Sequence, residues 1–199
     1  MIFPEDKKVF IHIPKTGGSS IELQLLKKVG IKSSGNSVWG RMSHENKITF
    51  LGEKYKSFVY APHAKAYELK QQYPELYQEY ESSAIIRNPY DRFCSIYFWH
   101  TKKKGNPDPL DVHKKLIENK ELMVEPQYDY IYENNICIVD KIFKFEEIGK
   151  IFEYFNVQPN HAKNMKRQKT EDFYKQWPKM KQFVANYYSK DFEVFNYEK

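Results

Sequence analysis

Residues 9–20 read VFIHIPKTGGSS, and the order of residue types in this stretch decides the fold. Val9 to Ile13 is a short apolar run of strand length. Pro14-Lys15-Thr16-Gly17-Gly18-Ser19-Ser20 follows without a spacer, and Ile21 to Val29 (IELQLLKKV) has the spacing of an amphipathic helix. Strand, glycine-rich turn and helix in this order gather free backbone N–H groups and the positive end of a helix dipole around one point, which suits an anion. Glycine lets the backbone approach that anion closely. Lys15 adds a positive charge, and Thr16, Ser19 and Ser20 add hydroxyl donors. The stretch is therefore expected to hold a phosphate, lined by Lys15, Thr16, Gly17, Gly18, Ser19 and Ser20. The plain alternative is a strand–turn–helix whose glycines only make the turn.

The common phosphate loop is G-x-x-x-x-G-K-[ST], with lysine after the glycines. Here lysine comes first, and the common order occurs nowhere in the chain. The arrangement that holds magnesium in a nucleoside triphosphatase is thus missing. A second segment, residues 83–100, reads SAIIRNPYDRFCSIYFWH. Ser83 to Ile86 reads as another buried strand with Arg87 at its end. Asn88 is a good N-cap, Pro89 suits the first helical position, and Asp91 complements the helix dipole. Tyr90, Phe93, Cys94 and Tyr97 recur at helical spacing and are expected to face the core. Arg87 and Ser95 are placed to grip one anion, from the strand end and from two turns into the helix. A surface arginine and a solvated serine are the alternative.

Together the two segments resemble the sulfotransferases that use 3′-phosphoadenosine 5′-phosphosulfate (PAPS). HIPKTGGSS is similar to that family's 5′-phosphosulfate loop. RNPYDRFCSIY is similar to its 3′-phosphate motif, in which an arginine and a serine eight residues later hold the 3′-phosphate. The two stand in the family's order, about 70 residues apart. The wording is nearest the branch of carbohydrate sulfotransferases, including heparan and chondroitin types. Gln127 in PQYDY, the strand-like IVDKIFKFEEI and the tail NYYSKDFEVFNY also fit, so the likeness runs from about residue 8 to residue 197. It implies a P-loop-like α/β sulfotransferase fold in a single domain, residues 1–199. It also implies PAPS as donor, released as adenosine 3′,5′-bisphosphate, with no metal. The acceptor it implies is a hydroxylated small molecule, glycan or glycolipid.

Hydrophobic residues make up 41% and aromatics 17% of the 199 residues, which argues against disorder and for one domain with a real core. A net charge of +6 favours polyanionic ligands. No helix-turn-helix, zinc-finger or RNP-type motif points to nucleic acid. The two cysteines, Cys94 and Cys137, have no metal-ligand spacing and read as buried thiols. The chain enters its first strand at once, with no signal peptide and no membrane-spanning run, which reads as a cytoplasmic enzyme.

Strands are expected at residues 8–13, 57–61, 83–87, and at 135–139 with 141–145. Helices are expected at 18–29, 64–72, from 89 to about 103, 109–119, 146–155 and beyond 169 with a break near Pro178. Such alternation argues for a parallel sheet flanked by helices, with ligand at the carboxyl ends of the strands. The first three strands end at Lys15, His63 and Arg87, which share one rim if those strands are neighbours. Lys15 and the N–H groups of residues 17–20 would stabilise a leaving phosphate. His63 is the candidate general base, because an unperturbed imidazole titrates near neutral pH. The resemblance supports it, since the carbohydrate branch carries a histidine just after its second strand. That histidine usually follows glycine, and Pro62 stands here instead. His12 is expected to pack or cap within the first strand. Lys166 and Arg167, in the basic stretch 161–169, are candidates for closing over the nucleotide. Trp39, Arg41 and His44 are candidates for the acceptor pocket. An atypical nucleotide kinase and a non-enzymatic polyanion-binding module are the competing functions.

Overall fold

A six-stranded sheet carries the first apolar run. In the computed structural model, residues 1–31, 48–102, 105–159 and 170–199 are described. The strands are β1 (Ile2–Phe3), β2 (Lys8–Ile11), β3 (Thr49–Leu51), β4 (Phe58–Tyr60), β5 (Glu81–Ile86) and, after a hairpin of β6 (Tyr132–Glu133) and β7 (Ile136–Cys137), β8 (Lys141–Lys144). Their order across the sheet is β3-β4-β1-β2-β5-β8. β2 pairs in parallel with β5, setting Ile11 opposite Ala84, and β5 pairs in parallel with β8, setting Ile86 opposite Lys144. β1 is antiparallel to both β2 and β4, so β4 runs the same way as β2, β5 and β8. The sheet is thus mostly parallel, with β1 and β3 reversed.

The first two expected strands are not neighbours. β1 is wedged between them, with Ile2 facing Val9 on one side and Val59 on the other. A two-residue strand carries no readable periodicity, which is why the sequence hides it. The expected strand at 83–87 begins earlier, at Glu81, and the loop-rich stretch 30–56 contains β3. The hairpin at 132–137 turns on Asn134 and Asn135, both at positive φ, as a tight two-residue turn demands.

The chain divides into two compact units. One holds Met1–Ile86 and Asp129–Lys163; the other holds Arg87–Tyr128 and Asn164–Lys199, with the C-terminal helices. The first contains the sheet together with α1 (Gly18–Lys28), α2 (Ala66–Gln72) and α3 (Pro74–Glu79). Phe3, Phe10, Phe58, Tyr60 and Ile85 pack with Ile21, Leu25 and Leu26 of α1 and with Ile151, Phe152 and Phe155. Val9, Ile11, Val59, Ala84 and Ile86 alternate with these along the strands and are just as buried, so both faces of the sheet are covered. Helix α1 stops where Gly30 takes positive φ: Gly30 N donates to Lys27 O and Ile31 N to Leu26 O, a Schellman cap.

The second unit is helical: α4 (Pro89–Thr101), α5 (Pro109–Glu118), α6 (Thr170–Gln176), α7 (Lys179–Tyr187) and α8 (Ser189–Val194). Its core joins Phe93, Cys94, Ile96, Tyr97, Leu116, Phe173, Val184, Tyr188 and Phe192. Asn88 caps α4 as its sequence suggests, accepting from Tyr90 N at 2.9 Å, with Pro89 in the first turn. The expected core stripe holds for Phe93, Cys94 and Tyr97, while Tyr90 is half-buried. Among the described residues no helix is long and apolar enough to cross a membrane.

Candidate active site

The turn after β2 begins α1 without any of the usual closures. Gly17 is the N-cap, at φ 91, and no side chain caps the helix. No Asp or Glu stands in its first turn. Helices α4 and α5 differ: Asn88 and Asp108 cap them, and Asp91 and Asp111 sit in their first turns. The first N–H groups of a helix have no intrahelical acceptor. At α1 Ser20 N donates to Gly17 O at 3.1 Å, and the N–H groups before it keep their partial positive charge for another anion. Lys15 precedes them, half-buried, with its backbone left-handed at φ 68. For a residue with a Cβ that conformation costs about 1–3 kcal/mol. Thr16 is fully buried and its hydroxyl donates to Ile13 O at 2.9 Å, so its proton serves the turn. Ser19 is exposed and Ser20 half-buried.

The two glycines have reasons the sequence alone conceals. A Cβ on Gly17 would meet the Phe145 ring at 2.6 Å, and one on Gly18 would stand 2.5 Å from His12 Nε2. The space beside Gly18 is therefore taken by an imidazole. His12 lies just past the end of β2, 3% exposed, with Nδ1 2.8 Å from Glu22 Oε2. Glu22 Oε1 accepts from the Tyr60 hydroxyl at 2.8 Å. The sequence leads one to expect His12 to pack or cap, and it gives Glu22 and Tyr60 no role. One signal was available: Glu22 shares the buried face of α1 with Ile21, Leu25 and Leu26. A carboxylate on an apolar stripe needs partners.

His63 follows β4 in a turn, also left-handed, at φ 58. Its Nδ1 is 3.0 Å from His12 O, and its ring centroid is 4.5 Å from that of His12. The insertion of β1 therefore does not separate the end of β4 from the end of β2: His63 reaches back to the residue three before Lys15.

In the other unit, Arg87 is held by its backbone. Arg87 N donates to Gln127 Oε1 and Gln127 Nε2 donates to Arg87 O, each at 2.8 Å. Gln127 is anchored in turn by Asp191, which accepts from Gln127 N at 2.9 Å and Nε2 at 3.2 Å, and from Tyr128 N at 2.8 Å. Burial pushes the Asp191 carboxyl above its ordinary value, against the pull of Arg92 and of these donors. Ser95 is half-buried on α4, and Thr170 donates a hydrogen bond to Asp91 at the start of that helix. Arg92 is buried, its guanidinium donating to Glu125 O and Met123 O at 2.8 and 3.0 Å, so it belongs to the scaffold. Burial raises the Cys94 thiol to about 12, which keeps it protonated and inert.

Lys166 and Arg167, with the rest of 161–169, lie outside the described residues, as do Trp39, Arg41 and His44. Among the described residues no group of three or more His, Cys, Asp and Glu could hold a metal ion.

A family model described as "Sulfotransferase family" matches residues 1–198. A crystal structure of a sulfotransferase from Alicyclobacillus acidocaldarius aligns with 97% of this chain and 96% of its own, with a TM-score of 0.43 and 12% identity. No curated protein matches the sequence.

Proposed function

The chain belongs to the sulfotransferase family, and we propose that it is a single catalytic domain moving a sulfuryl group from PAPS to a hydroxyl of a carbohydrate or similar acceptor. The observation that carries this reading is the start of α1: no side-chain cap, no acid in the first turn, a left-handed Gly17 and Lys15 just before it. These residues fit an anionic group such as a 5′-phosphosulfate. PAPS, when bound, supplies the sulfuryl group. Lys15 and the N–H groups of residues 17–19 stabilise the negative charge that the bridging oxygen takes as its bond to sulfur breaks, Ser20 N–H being engaged with Gly17 O. His63 Nε2 receives the proton of the acceptor hydroxyl as that oxygen bonds to sulfur. Arg87 and Ser95 are assigned to the 3′-phosphate and Lys166 and Arg167 to closure over the nucleotide, on the strength of the family motif and of local basic charge.

The test is transfer of labelled sulfate from PAPS to a panel of glycans, glycolipids and small alcohols. Lys15→Ala is expected to abolish measurable turnover with a modest loss of nucleotide affinity. His63→Ala is expected to slow it by about 10²–10⁴-fold, as for loss of a general base. Near-normal turnover in either variant removes that residue from the mechanism. Magnesium-dependent phosphoryl transfer from ATP in place of sulfuryl transfer would replace the reading with a kinase.

A further inference from the structure

We propose that Glu22 is a positioning residue for His63, acting through His12, so that His63 keeps its Nε2 lone pair turned to its task. The role rests on the reading of His63 as the base. The chain of contacts starts at a buried carboxylate, 5% exposed, on the inner face of α1. The Tyr60 hydroxyl donates to Oε1 at 2.8 Å, and Oε2 lies 2.8 Å from His12 Nδ1 in a close contact without hydrogen-bond alignment. On its far edge the His12 ring lies against Gly18, and it stacks on Phe10 at 5.9 Å and 20°. The ring is thus fixed by Glu22, by Phe10 and by a glycine that leaves room for it.

His63 depends on His12 twice. Its Nδ1 is 3.0 Å from the His12 carbonyl oxygen, and a carbonyl oxygen only accepts. His63 is therefore the Nδ1–H tautomer, and in the neutral ring the lone pair sits on Nε2, the atom a base uses. The tilted His12 ring, 4.5 Å away, forms the wall that sets the rotation of His63. Second partners that fix tautomer and orientation in this way govern how well an imidazole performs. A carboxylate buried close to an anion cradle also works against anion binding by repulsion, so it brings a cost that positioning of the base explains.

The titratable and charged groups of this cluster come from several elements: His12 at the exit of β2, Lys15 in the turn, Glu22 on α1, Tyr60 on β4, Lys65 two residues beyond His63, and the amino group of Met1. The Met1 amine donates to Phe10 O, lies within the influence of Glu22, and is lowered by burial to about 5, so it is neutral at pH 7. Replacing Glu22 by glutamine keeps the shape and removes a negative charge. That lowers the proton affinity of a nearby imidazole.

The experiment is a pH titration of the histidine ring nuclei by NMR in the whole protein, wild type against Glu22→Gln, with turnover measured on the same samples. Expected in the wild type is the Nδ1–H form of His63. Expected in Glu22→Gln is a His63 midpoint about half a pH unit or more lower. The acid limb of the pH–rate profile moves with it, and kcat falls about tenfold or more while KM for PAPS stays within about twofold. Tyr60→Phe, which removes one donor and keeps the ring, shifts both in the same direction by less, and serves if the glutamine variant does not fold. A sulfuryl-transferring enzyme whose His63 titration and pH profile ignore both substitutions overturns the positioning role alone. A wild-type protein with no sulfuryl transfer overturns the assigned function and this role with it.

Discussion

His12 and His113 are both almost wholly buried, at 3% and 2% exposure, yet the two units of the molecule treat them in opposite ways. In the sheet-bearing unit His12 Nδ1 lies 2.8 Å from Glu22 Oε2, and Glu22 Oε1 accepts from the Tyr60 hydroxyl. In the helical unit His113 is boxed by rings, with Tyr187 at 4.7 Å, Phe183 at 5.2 Å and Phe93 at 5.5 Å. Neither of its nitrogens has a hydrogen-bond partner among the described residues. The same contrast holds for the two segments proposed to bind anions. The loop after β2 rests on a buried carboxylate, Glu22, that grips side chains. Arg87 rests on a buried carboxylate, Asp191, that grips backbone N–H groups and the Gln127 amide. Side-chain networks of ionisable groups respond to pH and to single substitutions; backbone clamps hold a shape. On the proposed function, the first arrangement suits the tuning of a reaction and the second the holding of Arg87 in place.

The comparison breaks most visibly at Gly18. Gly18→Ala drives a Cβ into the His12 ring, which has Phe10 on one side and Glu22 on another. Overpacking of this kind costs about 1–3 kcal/mol of stability. Displacing the ring is expected to lower turnover on the order of hundredfold, as a small misplacement at a reacting centre does. Gly30→Ala is the control: its φ is also positive, but open space surrounds it, so stability falls while turnover stays. Equal activities in the two variants would show that the His12 network does not serve the reaction.

A second substitution sharpens the contrast in the other unit. Burial lowers the His113 pKa from 6.5 to about 4, with Arg92 adding to the effect. The unfolded chain binds a proton below pH 6.5 that the folded chain refuses until about pH 4, so stability falls as pH drops through that window. The loss amounts to about 3 kcal/mol at pH 4. His113→Phe is expected to remove this part of the acid sensitivity, read from thermal midpoints between pH 7 and 4. A parallel acid slope in wild type and variant would contradict it.

Much of this was legible in the sequence because it is local. The strand–turn–helix of residues 8–28 and the Asn88–Pro89 start of α4 each follow from adjacent residues. What the sequence concealed is long-range. Tyr60 lies 38 positions from Glu22, and Asp191 lies 64 from Gln127. Nothing in either neighbourhood announces its partner. The sequence presents the glycine pair as room for an anion, and the structure shows that Gly18 leaves room for the His12 ring. β1 escaped because its two residues pair only with strands that the rest of the chain must first form.

The most direct test of the proposed function is calorimetric binding of adenosine 3′,5′-bisphosphate and of adenosine 5′-monophosphate to the wild type and to Arg87→Ala. The account predicts that the bisphosphate binds the wild type at least about tenfold tighter, the worth of a charged hydrogen-bonded contact, and that Arg87→Ala erases this gap while leaving the monophosphate unchanged. Equal affinity for the two nucleotides in the wild type would contradict it.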